Sequence, residues 1–281
     1  MAALTDLSDL INRLTGGNNG TPETQFWYKA PRVAGAAATV PIIGRLASTW
    51  TYDGMPAGGA VPTSGAIPDR TTIGALPFTS PGGSREKFMI SAGVAPLIAG
   101  TFLLYDRLFH IGGLNGALTS AQNVQGSPAS PALTRNTGGA GNMVWYEIYT
   151  IIGAVSVTLT MNYVDQDGNS ASSTINIGAT NFREVTRAQR IPLAAGDTGA
   201  RAVTSVQLSA TTGTAGNFGI TIAQPLALIP VGAAGVGGWR DYTTGLPGIP
   251  TIHPDACLGL AYIPTAATAP EINAAATFVE K

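Results

Sequence analysis

The chain has 281 residues, a formal net charge of −1 and only 11% Asp, Glu, Lys and Arg, against about 25% in an average soluble domain. No basic excess exists to hold a phosphate backbone, which argues against nucleic-acid binding, and a single cysteine, Cys257, excludes an intrachain disulfide framework. Lysine occurs only at positions 29, 87 and 281, and Gly, Ala, Ser and Thr stand where charges usually sit. Charge keeps free monomers soluble and apart, so this composition suits a protein packed against copies of itself or a partner. A secreted or surface β-protein with a neutral exterior is the alternative. The length allows one large domain or two small ones.

Leu4, Leu7, Leu10, Ile11 and Leu14 recur at helical spacing. Thr5 is the expected cap, Asp6 and Asp9 suit the positive end of the helix, and Gly16-Gly17 end it. So short a helix is not stable alone, and its apolar stripe must dock, either on its own domain or, as an arm, on a neighbouring subunit. The five apolar residues are therefore the candidate assembly contacts. The chain divides into this helix or arm, residues 1–20, and a β-rich body, residues 21–281, with a possible lobe division near residue 84.

No basic start followed by an apolar run marks a signal peptide. Asp53 to Asp69 is rich in Gly, Pro and Ala and reads as an ordered loop or extended arm, as does Ile111 to Thr134. Phe88 to Tyr105 is uncharged and nearly long enough to span a membrane, but Pro96, Gly93 and Gly100 favour buried strands joined by a turn. Met143 to Ile152 has strand composition. Val155, Val157, Leu159, Met161 and Tyr163 alternate with polar residues, Asp165 to Ser170 carries turn chemistry, and Ser173 to Ile177 returns, predicting a hairpin. Further strands are expected at 202–210, 218–222 and 226–231. The reading is an all-β protein, an antiparallel sandwich or jelly-roll-like body with long loops.

Few residues suggest chemistry. His110 and His253 are far apart, and one cysteine gives no metal-ligand spacing; no metal or cofactor is expected. Asp165, Asp167 and Asn169 faintly suggest a calcium loop but lack its closing Glu, so a hairpin turn is the better reading. Arg183, Arg187 and Arg190, with Glu184 among them, read as a solvated turn. No GxSxG elbow is present and no lysine follows a glycine, which excludes a P-loop. Gly138 to Gly141 and Gly232 to Gly238 read as loops. Trp27, Trp50, Trp145 and Trp239 could line a sugar site, although core or interface packing is more common.

Four segments carry a family likeness. Arg190 to Ala210, running on through Thr211 to Gly219, resembles a pattern in virion structural proteins of tailed bacteriophages. Leu103 to Leu108, Asn162 to Gly168 and Pro254 to Pro264 resemble other parts of it. The region before about residue 84 is less covered by this resemblance. The resemblance implies a head decoration or cement protein, often a trimer with a jelly-roll-like body, bound to the major capsid protein in a virion assembled in the host cytoplasm. It carries no catalytic residues and implies neither a nucleic-acid nor a membrane partner. A tail, baseplate or receptor-binding spike component is the competing reading, and a polysaccharide-cleaving enzyme the third.

Overall fold

The computed structural model describes residues 6–17, 21–31, 41–83, 85–125, 132–179, 182–243 and 248–281. In chain order the elements are α1 (Leu7–Leu14), β1 (Glu23–Ala30), β2 (Ala47–Ser48), β3 (Asp53–Met55), β4 (Lys87–Pro96), β5 (Gly100–Leu114), β6 (Gln122–Asn123), β7 (Met143–Thr150), β8 (Val157–Asp165) and β9 (Ser170–Ile177). There follow β10 (Ala188–Arg190), β11 (Ala200–Leu208), β12 (Asn217–Val231), β13 (Gly238–Asp241), β14 (Thr251–Ile252), β15 (Leu258–Pro264) and β16 (Ile272–Glu280). The protein is all-β and antiparallel, with one short helix among the described residues, as expected.

Three sheets form two sandwiches that share sheet B, with sheets A and C packed toward the two ends of one of its faces. Sheet A runs β13-β4-β16-β1-β3, with β14 also on β4; sheet B runs β10-β7-β12-β5-β15-β2; sheet C runs β6-β11-β8-β9. β5 and β12, the long strands of sheet B, pair along nearly their whole length. At one end, Phe102, Leu104, Ile229 and Tyr262 of sheet B pack on Met89, Val94, Ala276 and Phe278 of sheet A. At the other end, Phe109, Val144, Ile220 and Phe218 pack on Leu159, Met161, Val203 and Val206 of sheet C. Both sides of residue 84 contribute to sheets A and B, through β1, β2 and β3 before it and β4 and β5 after it.

Several expectations need correction. The helix is capped by Asp6, whose carboxylate accepts the Asp9 amide at 2.8 Å; Leu4 and Thr5 lie outside the described residues. The two strands expected at 218–222 and 226–231 are one strand, β12. It carries register shifts between Ile222 and Ala223 and between Pro225 and Ala227, and these bulges absorb a proline that cannot donate to a ladder. The loop expected from Ile111 begins only after Leu114, because β5 continues to that residue. Val155 lies before β8 and is exposed. Of the arginine cluster, Arg183 and Arg187 are half-buried, each 3.3 Å from Glu184, whereas Arg190 is exposed and ends β10. β1, which had not been anticipated, alternates Phe26 outward with Trp27 and Lys29 inward.

Candidate assembly surface

The outer face of sheet A is the most unusual exposed surface of the molecule. Register places Trp239, Gly93, Ala275 and Phe26 in one row across four strands, and residues aligned across neighbouring strands share a face. A second row holds Ala95, Asn273, Tyr28 and Met55. Neither row contains a charged side chain. Phe26 is 71% and Trp239 57% exposed, and between these two aromatics lies a slot of ≈ 340 Å³ with a floor of small residues. Gly93 makes the slot possible: a Cβ there would collide with the Trp239 ring, which lies across its strand.

The other end of the same face is covered by α1. Leu10 is buried against Phe88, Ile90 and Val279, and Leu14 packs half-buried beside them. Arg13 reaches the Glu280 carbonyl at 3.0 Å, and Lys281 pairs with Asp9 at 2.7 Å. Of the five candidate contacts, the structure thus commits Leu10 and Leu14 to the chain's own body. Leu7 and Ile11 face outward at 61% and 52% exposure.

Part of the scarce charge lies inside. Lys29, Lys87, Asp106, Arg107, Arg135, Glu147, Asp165 and Glu280 are all buried. Lys87 pairs with Glu23 and with Glu280. The Lys29 ammonium donates to the carbonyls of Pro56 at 2.8 Å and Ala57 at 3.2 Å, and burial pushes its pKa down to about 8. The surface is therefore poorer in charge than the composition alone implies.

The densest buried group lies under the loop after β3, on the face of sheet B turned away from sheets A and C. The Arg107 guanidinium donates to Glu147 Oε1 at 2.8 Å, to the Tyr105 hydroxyl at 2.9 Å and to the Thr221 hydroxyl at 2.8 Å. Glu147 also accepts from Trp145 Nε1 at 2.6 Å, from Tyr149 at 2.9 Å and from Ser48 at 3.2 Å. Burial alone would raise the Glu147 carboxyl; the adjacent guanidinium holds it below the usual carboxylate range. Tyr149 spends its one proton on Glu147, so His110 Nε2, 2.6 Å from that hydroxyl, is the donor in their contact. Closed to solvent and internally bonded, these side chains act as a structural clamp.

Burial, with the positive charge of Arg107, depresses the His110 pKa from 6.5 to about 3. The unfolded chain therefore binds a proton below pH 6.5 that the folded chain refuses, and stability is lost as pH falls through that window. Relative to His110→Gln, which keeps a donor for Tyr149, the natural protein should lose about 2 kcal/mol between neutral pH and about pH 5. Parallel urea titrations of the two proteins at both pH values check this, and equal losses would refute it.

The remaining candidates are structural. His253 accepts the Asp255 amide at 3.0 Å in a turn. Asp165 closes the β8–β9 hairpin by accepting the Asp167 and Asn169 amides, each at 2.8 Å. Cys257 is buried, and its thiol is pushed up to about 12. Trp27, Trp50 and Trp145 are buried, and of the four tryptophans only Trp239 is exposed. A cleft of ≈ 480 Å³ opens between the two sandwiches, but Asp106 and Arg135 on its wall are bonded to each other at 2.9 Å. Among the described residues no group of three or more His, Cys, Asp or Glu is placed to hold a metal, and no helix is long and apolar enough to cross a membrane. Phe26 and Trp239 were missed as a pair because their proximity depends on strand order; the exposure of Phe26 alone follows from the alternation of β1.

No family model and no curated protein matches the chain. Among solved structures it is similar to that of infectious bursal disease virus, Gt strain, at 11% identity, with 93% of this chain and 80% of that chain covered and a TM-score of 0.19. T=1 particles derived from the same virus give 10% identity, 93% and 77% coverage and a TM-score of 0.19. The VP2 subviral particle of that virus gives 9% identity, 92% and 80% coverage and a TM-score of 0.18. Superpositions at this level establish neither fold nor function for this chain, and nothing below rests on them.

Proposed function

We propose that this chain is a structural protein of a virion, and specifically a head decoration or cement protein of a tailed phage that binds the major capsid protein. The observation that carries the reading is the pair of uncharged rows on the outer face of sheet A, where Phe26 and Trp239 stand exposed beside small residues. Fully burying a side chain of this size is worth about 1.5–3 kcal/mol, and aromatic anchors set beside pockets dominate association energies. Interior placement of so many charges leaves little to keep such a face in water. A protein that binds only the assembled shell stabilises that state by mass action. Assembling first as an oligomer, with a trimer the state implied by the phage resemblance, multiplies the contacts.

Particles separated into heads and tails and analysed by mass spectrometry should hold the chain with the heads at high copy. Purified protein added to expanded shells lacking it should raise their resistance to heat. Replacing Phe26 and Trp239 together by Ser should weaken shell binding by about 30-fold or more, with thermal unfolding of the free protein little changed because both side chains are exposed. Recovery only with tails would instead support the tail or baseplate reading. Absence from both, or undiminished shell binding by the double variant, would overturn the proposal.

A further inference from the structure

We propose that two copies of this chain pair edge to edge through β9, antiparallel about a two-fold axis at Ser173, to make one continuous sheet from their two sheets C. A long open edge is a template for strand addition, and proteins commonly blunt such edges by shortness, charge, proline or a bulge. Here the outer strands β2, β3, β6, β10 and β13 are two to four residues long. β9 is the exception: it has eight residues, no charge, no proline and an unbroken register with β8.

The direction of its free backbone groups follows from the ladder. Asp165 N–H donates to the Asn169 carbonyl, and the Thr158 carbonyl accepts from Ser209 on the far side of β8. Antiparallel alternation then turns residues 171, 173, 175 and 177 toward β8 and leaves the N–H and C=O groups of Ser170, Ser172, Thr174 and Asn176 pointing off the sheet. No described residue pairs with that backbone. The edge is complementary to itself. With Ser173 on the axis, Ser170 meets Asn176 of the second copy and Ser172 meets its Thr174, every one a pair that exchanges two hydrogen bonds. No like charges are brought together. On the inner face, half-buried Ile175 stands opposite Ala171 of the second copy. Both already pack against the core between sheets B and C, and the pairing completes their burial. This contact is independent of the shell-binding face on sheet A and does not rest on the proposed function.

The full-length protein tests it by sedimentation and disulfide trapping. The two Ser173 residues form a non-hydrogen-bonded pair with Cα atoms about 4.5 Å apart, within disulfide reach. Ser173→Cys should give a covalent dimer on mild oxidation. Ser172→Cys, whose counterpart is displaced along the strand, should give none; native Cys257 is buried and adds no background. Thr174→Pro removes one outward N–H without touching the β8 ladder, so it should abolish the dimer seen at rising concentration while circular dichroism and Tm stay near those of the natural chain. A monomer at all concentrations, equal trapping at 172 and 173, or a dimer that survives Thr174→Pro while the chain stays folded would overturn the proposal.

Discussion

Glu147→Gln is expected to destabilise the folded chain by about 3–5 kcal/mol, the usual cost of removing one partner of a buried ion pair. Glutamine nearly preserves the shape and still offers an acceptor to Trp145 or Tyr149, so the loss isolates the charge. Arg107, fully buried, would be left with hydroxyls as its side-chain partners. Arg107→Met should cost a similar amount by stranding the carboxylate among its remaining donors. The combined variant Arg107→Met/Glu147→Gln carries no unpaired charge and should be more stable than either single variant, since desolvating two ions offsets most of their attraction. Urea midpoints of the four proteins decide the matter. If the two losses simply add, the pair is not the unit that holds this layer together.

Trp50→Ala should cost about 3–5 kcal/mol, the range for truncating a large buried aromatic, and should loosen the loop after β3 ahead of the rest of the molecule. The Trp50 ring lies 4.3 Å from the Arg107 guanidinium carbon and meets His110 edge-on at 5.7 Å. Its Nε1 donates to the Ala60 carbonyl at 2.9 Å. Gly59 lies so close that a Cβ there would strike the ring. One side chain therefore both roofs the charged clamp and pins the loop that covers it. Amide hydrogen exchange should show residues 59–76 losing protection in Trp50→Ala before the strands of sheets A and C. Uniform loss across the molecule would mean that the loop is not a separately opening unit. Because Trp50 touches Arg107, its effect should not add to that of Arg107→Met.

The candidate surface was legible only in part. The stripe of α1 was visible as a pattern, but spacing cannot say which side of a helix meets its own body; the packing of Leu10 on Val279 decided it and left Leu7 and Ile11 outside. The slot between Phe26 and Trp239 joins residues more than two hundred positions apart. It exists because β13, β4, β16 and β1 happen to be neighbours, a fact of strand order that local pattern does not contain. Similarly, Arg107 in an apolar stretch does not announce that its partner is Glu147, two strands away across β12.

By itself the amino-acid sequence determined the class and the local pieces: a low-charge all-β chain, a short amphipathic helix at the start, and the β8–β9 hairpin, whose alternation and Asp165-to-Asn169 turn dictate one buried face. These are effects of side-chain periodicity and turn chemistry, both confined to neighbouring residues. Tertiary structure alone decided the rest. It joined β12 through its bulges, placed two sandwiches on one side of a shared sheet, and drew some of the scarce charges inward, most of these into pairs. The reason is physical: a buried ion is tolerable only where an opposite charge or hydrogen-bonding groups meet it, and the ion pairs here are brought together by strand order rather than by sequence separation.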